Sequence, residues 1–247
     1  MKAGGDAPAG QVSRRYAARS DAGEKRLVVL ISGRGSNLNA LIEACSSGRI
    51  DGRVVRVISN RPQARGLDFA RQSRIPYAVV DHREYPDREG FDQALAEVIE
   101  ASAPDLIVLA GFMRILTDAF VARFAGRMVN IHPSLLPDFR GLDTHARALA
   151  AGAEVHGASV HFVTTELDGG PVLMQARVPV HSHDDPETLA ARVRAAEHRL
   201  YPAAVGLICS GRIQAAGDKV LCDGSPLERP LLLDDTMETT KRCAGQD

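Results

Sequence analysis

Residues 25–32 have the sequence KRLVVLIS, and residues 33–37 continue as GRGSN. The first segment is a short continuous apolar run, which is typical of a strand buried on both faces of a parallel sheet. The second is a glycine turn, and apolar residues at helical spacing follow it through position 45. A strand, a tight turn and a helix therefore open the fold, in the order found in βαβ units.

The same alternation repeats along the chain. Further strands are predicted at residues 54–59, 77–80, 105–110, 128–131, 157–164 and 172–180. Helices are predicted at residues 64–73, 88–102, 118–124 and 186–210. This rhythm predicts an α/β fold, with an open, mostly parallel, doubly wound sheet and helices on both of its faces. The last two strands are expected to extend the sheet in a partly antiparallel way.

Length and composition limit the class of protein. The 247 residues, 45% hydrophobic and 25% charged, fit one globular domain with extensions at its ends. We expect a disordered extension over 1–25, a folded domain over 26–213 and a loosely packed tail over 214–247. The net charge of -1 gives no general attraction to nucleic acid, and no apolar run is long enough for a membrane span. The four cysteines form no C-x-x-C pair and indicate reduced thiols in a cytoplasmic protein.

The glycine turn is a candidate anion site. Its main-chain N–H groups and the helix start that follows favour a bound anion, and Ser36 and Asn37 add polar side chains. Leu38 stands where a dinucleotide fingerprint needs its third glycine, and no Lys-Ser/Thr pair follows as it does in a P-loop. The turn therefore indicates either a small phosphate site or an ordinary glycine turn before a capped helix.

A second candidate lies at the end of a predicted strand. Asn130 and His132 are alternate residues there, so their side chains project to the same side. Ligands usually bind at the carboxyl ends of strands in open α/β sheets, and an amide beside an imidazole suits a developing oxyanion. A structural histidine is the alternative. If Asp168, in the ELDGG segment at 166–170, meets His132, it would orient the imidazole and raise its pKa.

Two histidine motifs have less specific interpretations. His181 and His183 have a spacing that metal ligands can use, but they lie between a predicted strand and a helix, where a solvated loop is usual. Because clustered cysteines and a second ligand set are both missing from the sequence, we predict no metal. Glu197 and His198 on the last predicted helix are either a catalytic pair or a partly buried polar pair.

Four segments occur together in an order that resembles a known family. They are GRGSNL at 33–38, LAGFMRIL at 109–116, NIHPSLLP at 130–137 and LDGGP at 167–171. With Glu197 and His198 following, they resemble the phosphoribosylglycinamide formyltransferase family of the folate-dependent formyltransferase superfamily. The resemblance spans about residues 26–213 and implies a Rossmann-like fold.

The resemblance implies roles for the matching residues. The family's catalytic positions correspond to Asn130, His132 and Asp168. Its substrate positions, which hold the phosphate and contact the glycinamide group, correspond to Gly35, Ser36, Asn37 and Glu197. Its folate positions correspond to Arg88, Met113, Arg114, Ile115, Leu116 and Asn130. Two residues depart from the family pattern: Arg194, where we expect Gln, and Asp143, where some members have His.

The implied reaction moves the formyl group of 10-formyltetrahydrofolate to the amine of glycinamide ribonucleotide in purine biosynthesis. The amine would attack directly, and Asn130 and protonated His132 would stabilise the tetrahedral intermediate, while Asp168 raises the pKa of His132. The partners expected are these two small molecules, with no metal, nucleic acid or membrane, in a cytoplasmic monomer or homodimer. The rival families are formyltetrahydrofolate deformylase and methionyl-tRNA formyltransferase, both of which resemble this domain with a further domain attached. A binding module without activity is the rival from another class.

Overall fold

Strands and helices alternate through residues 23–233, the part of the chain that the computed structural model describes. The strands are β1 Lys25–Ile31, β2 Gly52–Ser59, β3 Tyr77–Val79, β4 Leu106–Leu109, β5 Met128–His132, β6 Val155–Phe162, β7 Val172–Pro179, β8 Ile213–Ala216, β9 Lys219–Cys222, β10 Ser225–Pro226 and β11 Leu231–Leu232. The α-helices are α1 Ser36–Ser46, α2 Gly66–Gln72, α3 Arg88–Glu100, α4 Asp118–Arg123, α5 Thr144–Ala150 and α6 Pro186–Cys209. A 3-10 helix covers His82–Glu84.

The central sheet has eight strands in the order β11-β7-β6-β5-β4-β1-β2-β3. The strands from β3 through β5 are parallel to one another. β6 is antiparallel to both β5 and β7, while β11 pairs with β7 in parallel. The predicted open, mostly parallel, doubly wound sheet is therefore confirmed, together with its partly antiparallel extension.

The direction of winding reverses at β1. From β1 the chain builds outward to β2 and β3, and then returns to place β4 on the other side of β1. Such a reversal opens a crevice beyond the carboxyl ends of the two strands, where ligands bind in open α/β sheets. The glycine turn follows β1, residues 110–116 follow β4, and β5 lies next to β4. The topology thus brings three of the four sequence motifs to one edge.

The apolar run of β1 is explained by helices on both faces of the sheet. Leu27, Val29 and Ile31 pack into one hydrophobic core, with residues of α1 and α6. Val28 and Leu30 alternate with them and pack into a second core, with residues of α3 and α4. Because both faces are covered, β1 needs no polar alternation.

The segment after α6 forms further strands. β8, β9 and β10 make a small antiparallel sheet, and β11 joins the edge of the central one. The boundaries predicted at residues 25 and 213 stay predictions, and residues 1–22 and 234–247 lie outside the described part of the chain. Cys45 and Cys209 are both buried, and neither forms a disulfide. The expectation of reduced thiols at the other two cysteines stays a prediction.

Gly157 is required by close packing of β6 on β7. A Cβ at this position would fall on the main-chain oxygen of Ala176 and lie 2.9 Å from Leu135 Cδ2. We expect Gly157→Ala to lower the free energy of unfolding by about 3 kcal/mol, because main-chain atoms cannot move aside as a side chain can. Urea unfolding measures this loss. Gly33→Ala is the control, since its Cβ would meet nothing within 4 Å; an equal loss in both variants would contradict the steric explanation.

Candidate active site

Asn130 and His132 lie at the carboxyl end of β5, on one side of the strand as predicted. The antiparallel register with β6 sets His161 opposite Asn130. His132 is only 5% exposed, and His161 is buried as well. The strand end therefore presents an amide and two imidazoles, one of which the sequence motifs did not indicate.

Asp168 meets His132, a contact that the sequence spacing left open. The Oδ2 atom of Asp168 lies 3.3 Å from His132 Nδ1. The same oxygen accepts a hydrogen bond from the main-chain N–H of Gly141 at 3.0 Å. On the other side of the ring, His132 Nε2 lies 3.0 Å from the main-chain oxygen of Phe139. Oxygen atoms therefore face both ring nitrogens and hold the imidazole in one orientation.

His161 joins Asn130 to this pair. Its Nδ1 lies 3.0 Å from the main-chain oxygen of Phe162, which can only accept, so Nδ1 carries the hydrogen. Its Nε2 is then free to accept from Asn130 Nδ2, at 3.2 Å. Burial lowers the pKa of His161, in keeping with a neutral ring. The side-chain amide of Asn130 is thereby oriented, and its second N–H remains for another acceptor.

The loop that supplies Asp168 depends on special backbone geometry. Asp168 has φ +48°, in the left-handed region that Asp tolerates better than most residues. Gly170 follows closely, where a Cβ would fall on the main-chain oxygen of Phe162. An ion pair between Glu166 and Arg140 links this loop to the one that carries Phe139. The sequence Asp-Gly-Gly is therefore more than a turn, because it holds the carboxylate against His132.

The glycine turn and the last helix form a second cluster. Gly35 has φ +75°, and a Cβ there would lie 2.5 Å from the Cα of Gly66. α1 begins at the next residue, so its first N–H groups face the crevice end of β1. Asn37 Nδ2 donates to Glu197 Oε2 at 2.9 Å. The four predicted substrate residues, Gly35, Ser36, Asn37 and Glu197, are thus brought together.

Glu197 is a buried carboxyl group on α6. Burial raises its pKa, and the hydrogen bond from Asn37 and the charge of Arg194 oppose that rise. Arg194, one of the two departures from the family pattern, therefore lies close enough to act on the substrate cluster through its charge. Asp143, the other departure, stands just before α5 with φ +56°.

Four of the six predicted folate residues, at 113–116, occupy the segment between β4 and α4, while Arg88 lies on α3 and Asn130 on β5. This segment has no regular secondary structure, and Met113 and Ile115 are 58% and 61% exposed. The Arg114 guanidinium lies over the ring of Phe91, at 5.7 Å from its centroid. Arg88 is exposed at the first residue of α3, one helical turn before Phe91. The segment thus offers apolar side chains and cations at the crevice.

His156 is a buried histidine behind the site, on β6. Its ring contacts those of Phe139 and His145 edge-on, at centroid distances of 5.8 and 5.2 Å. Burial, and then the neighbouring His145, lower its pKa from 6.5 to about 4. Between pH 4 and pH 6.5, His156 is therefore mostly protonated in the unfolded chain and mostly neutral in the folded chain.

That difference predicts acid sensitivity of the fold. Stability from this group is complete above about pH 6.5 and is lost as pH falls toward 4. At pH 5 we expect a loss of about 2 kcal/mol in the free energy of unfolding, relative to pH 7.5. His156→Gln should reduce this loss, as measured by urea unfolding at the two pH values. An unchanged pH dependence in the variant would contradict the assignment to His156.

The fold and the grouping of Asn130, His132 and Asp168 define a class of protein. The formyl transferase family profile matches residues 25–205, and the chain belongs to this family of transferases. The phosphoribosylglycinamide formyltransferase of Escherichia coli (strain K12) is 49% identical over 201 residues, which is 81% of this chain and 95% of that protein. These matches confirm the resemblance found in the sequence motifs.

Solved structures agree with this assignment. The phosphoribosylglycinamide formyltransferase of Coxiella burnetii has a TM-score of 0.80 at 49% identity, covering 83% of this chain and 96% of that one. A formyltetrahydrofolate deformylase of Pseudomonas syringae has a TM-score of 0.75 at 28% identity, covering 81% of this chain and 66% of that one. The fold is therefore shared with a formyltetrahydrofolate deformylase.

Within residues 23–233, the His, Cys, Asp and Glu side chains form no group of three or more that could hold a metal ion. Over the same residues, each helix is too short or too polar to cross a membrane.

Proposed function

We propose that this chain transfers the formyl group of 10-formyltetrahydrofolate to the amine of glycinamide ribonucleotide. The bond between the formyl carbon and N10 of the folate breaks, and a new bond forms between that carbon and the amine. A proton leaves the amine and reaches N10, so the products are formylglycinamide ribonucleotide and tetrahydrofolate. The cytoplasmic location and the monomeric or homodimeric state remain predictions.

The observation that carries this proposal is the burial of His132 and the contacts of its two ring nitrogens. Its ring is buried at the crevice between Asp168 Oδ2, 3.3 Å from Nδ1, and the Phe139 oxygen, 3.0 Å from Nε2. The ring nitrogen Nε2 can donate its hydrogen to one oxygen at a time, and an oxygen that gains negative charge is a stronger acceptor than the neutral Phe139 carbonyl. The formyl oxygen gains that charge when the amine attacks, so His132 supports the tetrahedral intermediate.

Asn130 supplies the second donor to the same oxygen. One N–H of its amide is engaged by His161, at 3.2 Å between Nδ2 and Nε2. The hydrogen bond to His161 also fixes the direction of the remaining N–H, so the Asn130 amide does not have to reorient during the reaction. In the free protein the Phe139 oxygen engages His132 Nε2. We infer that the formyl oxygen takes the place of this carbonyl when the donor binds.

The cluster beside the crevice favours an amine acceptor that bears a phosphate. The helix start after Gly35 favours an anion, and a buried Glu197 carboxylate suits a cationic or N–H-bearing group. Transfer to water would need neither feature. The direct test uses a donor whose formyl carbon is isotopically labelled. Mass spectrometry should find the label in the ribonucleotide product; label found only in free formate would overturn the proposal.

Glu197 provides a prediction specific to the acceptor. We expect Glu197→Ala to raise the KM for glycinamide ribonucleotide by about tenfold or more, because a buried acceptor is lost and Asn37 is left without its partner. The KM for the donor should stay within about twofold. Initial rates with each substrate varied in turn measure both constants. Glu187→Ala, in the exposed first turn of the same helix, is the matched control. Equal changes in both KM values would argue against an acceptor role.

A further inference from the structure

The segment at residues 113–116 is held in shape by side chains that no motif indicated. It connects β4 to α4 without regular secondary structure, and two of its side chains are largely exposed. An exposed irregular segment keeps one conformation only where its main-chain groups are bonded to the rest of the protein. Both of its ends are bonded in this way, each by a buried side chain from a different element.

Ser32 holds the first end. Its main-chain N–H donates to the oxygen of Gly111 at 3.1 Å. Its side-chain Oγ accepts from the main-chain N–H of Met113 at 2.7 Å. The same hydroxyl donates its one hydrogen to Asn60 Oδ1 at 2.6 Å. Because Asn60 takes that hydrogen, the lone pairs of Ser32 Oγ are directed at Met113.

Asn60 is itself fixed in place. It follows β2, is 1% exposed, and its main-chain oxygen lies 2.9 Å from His82 Nδ1. Ser32 is 4% exposed. A buried serine and a buried asparagine satisfy each other here, each one residue beyond the paired ends of β1 and β2. A buried polar pair of this kind contributes less to the stability of the fold than apolar side chains that could fill the same space.

Asp92 holds the second end. Its Oδ2 accepts from the main-chain N–H of Thr117 at 2.6 Å, and its side chain is buried on α3. Thr117 in turn accepts from Phe120 N at 3.3 Å and so begins α4. Phe91, the neighbour of Asp92, lies beneath the Arg114 guanidinium. The end of the segment is therefore fixed to the helix that begins with Arg88.

We propose that Ser32, oriented by Asn60, and Asp92 are positioning residues that hold the donor-binding segment in its binding conformation. This inference rests on the proposed function, which sets the folate donor against residues 113–116. Ser32 has a further consequence, because it immediately precedes the glycine turn that we assign to the phosphate. One residue thus fixes the donor segment relative to the acceptor site.

The test compares the two substrates in Ser32→Ala. We expect the KM for 10-formyltetrahydrofolate to rise about tenfold, because the N–H of Met113 loses its buried acceptor. The KM for glycinamide ribonucleotide should stay within about twofold, and Ser32→Thr, which keeps the hydroxyl, should recover most of the loss. Ser102→Ala is the matched control. Ser102 is a buried serine before β4, at the opposite edge of the sheet, and its hydroxyl accepts from Arg56 at 2.7 Å.

A second variant and a binding measurement keep the test independent of folding and of turnover. Asp92→Asn keeps an acceptor for Thr117 and should bind donor more tightly than Asp92→Ala. Calorimetric titration with tetrahydrofolate should show the same order without catalysis. A donor KM unchanged in Ser32→Ala and Asp92→Ala, or raised equally in Ser102→Ala, would overturn the inference. Failure of the proposed function would differ, because the parent protein itself would then show no transfer to the ribonucleotide.

Discussion

Replacing His132 by alanine is expected to lower kcat for formyl transfer by about a thousandfold. In the proposed mechanism the ring donates to the oxygen on which negative charge develops, and it is held by Asp168 and the Phe139 oxygen. An interaction that strengthens only in the transition state lowers kcat with little change in KM. Single-turnover measurements with both substrates saturating isolate this step from product release.

The control for His132→Ala is a histidine outside the crevice. His181→Ala removes an imidazole in the loop before α6 and should leave kcat unchanged. Urea unfolding of both variants shows whether the fold is kept. If His132→Ala, properly folded, transferred formyl groups near the parent rate, oxyanion stabilisation by this ring would be the wrong mechanism.

Replacing Asp168 by asparagine is the second large effect, with an expected fall in kcat of about a hundredfold or more. Asparagine tolerates the left-handed φ of +48° and can still accept from the Gly141 N–H, so the loop should keep its shape. What is lost is the negative charge that faces His132 Nδ1 at 3.3 Å.

A variant of the same loop separates charge from loop structure. Glu166→Gln breaks the ion pair with Arg140 but leaves Asp168 against His132. We expect kcat within about threefold of the parent value for this variant, because an exposed ion pair contributes little. Equal losses in Asp168→Asn and Glu166→Gln would show that loop order, and not the carboxylate charge, determines the rate.

Local sequence patterns were sufficient to predict most of the fold. The continuous apolar run of β1 requires cover on both faces, and the two cores provide it. The helix predicted at residues 186–210 is found at Pro186–Cys209, where Asp185 caps its start. α5 was not predicted, since its seven residues are few for a periodic pattern and no side-chain cap precedes them. The strands after residue 213 were missed because they are only two to four residues long.

The site was predicted where its residues lie on one strand or one turn. Alternation along β5 places Asn130 and His132 together, and the glycine turn is defined by its own backbone. His161 was missed because only the register of β6 against β5 sets it opposite Asn130. Ser32, Asn60 and Asp92 were missed because residues distant in sequence bond to each other there, and no spacing rule covers such contacts. Short-range sequence patterns therefore identify the candidate reactive side chains, while contacts between residues distant in sequence determine how those side chains are held.

The measurement that tests the account most directly is tetrahydrofolate release from 10-formyltetrahydrofolate, with and without glycinamide ribonucleotide. We predict release that depends on the ribonucleotide and matches the formation of formylglycinamide ribonucleotide mole for mole. Release at the same rate without the ribonucleotide would mean that water accepts the formyl group. The shared fold would then serve a deformylase, and the roles proposed for Asn37 and Glu197 would be wrong.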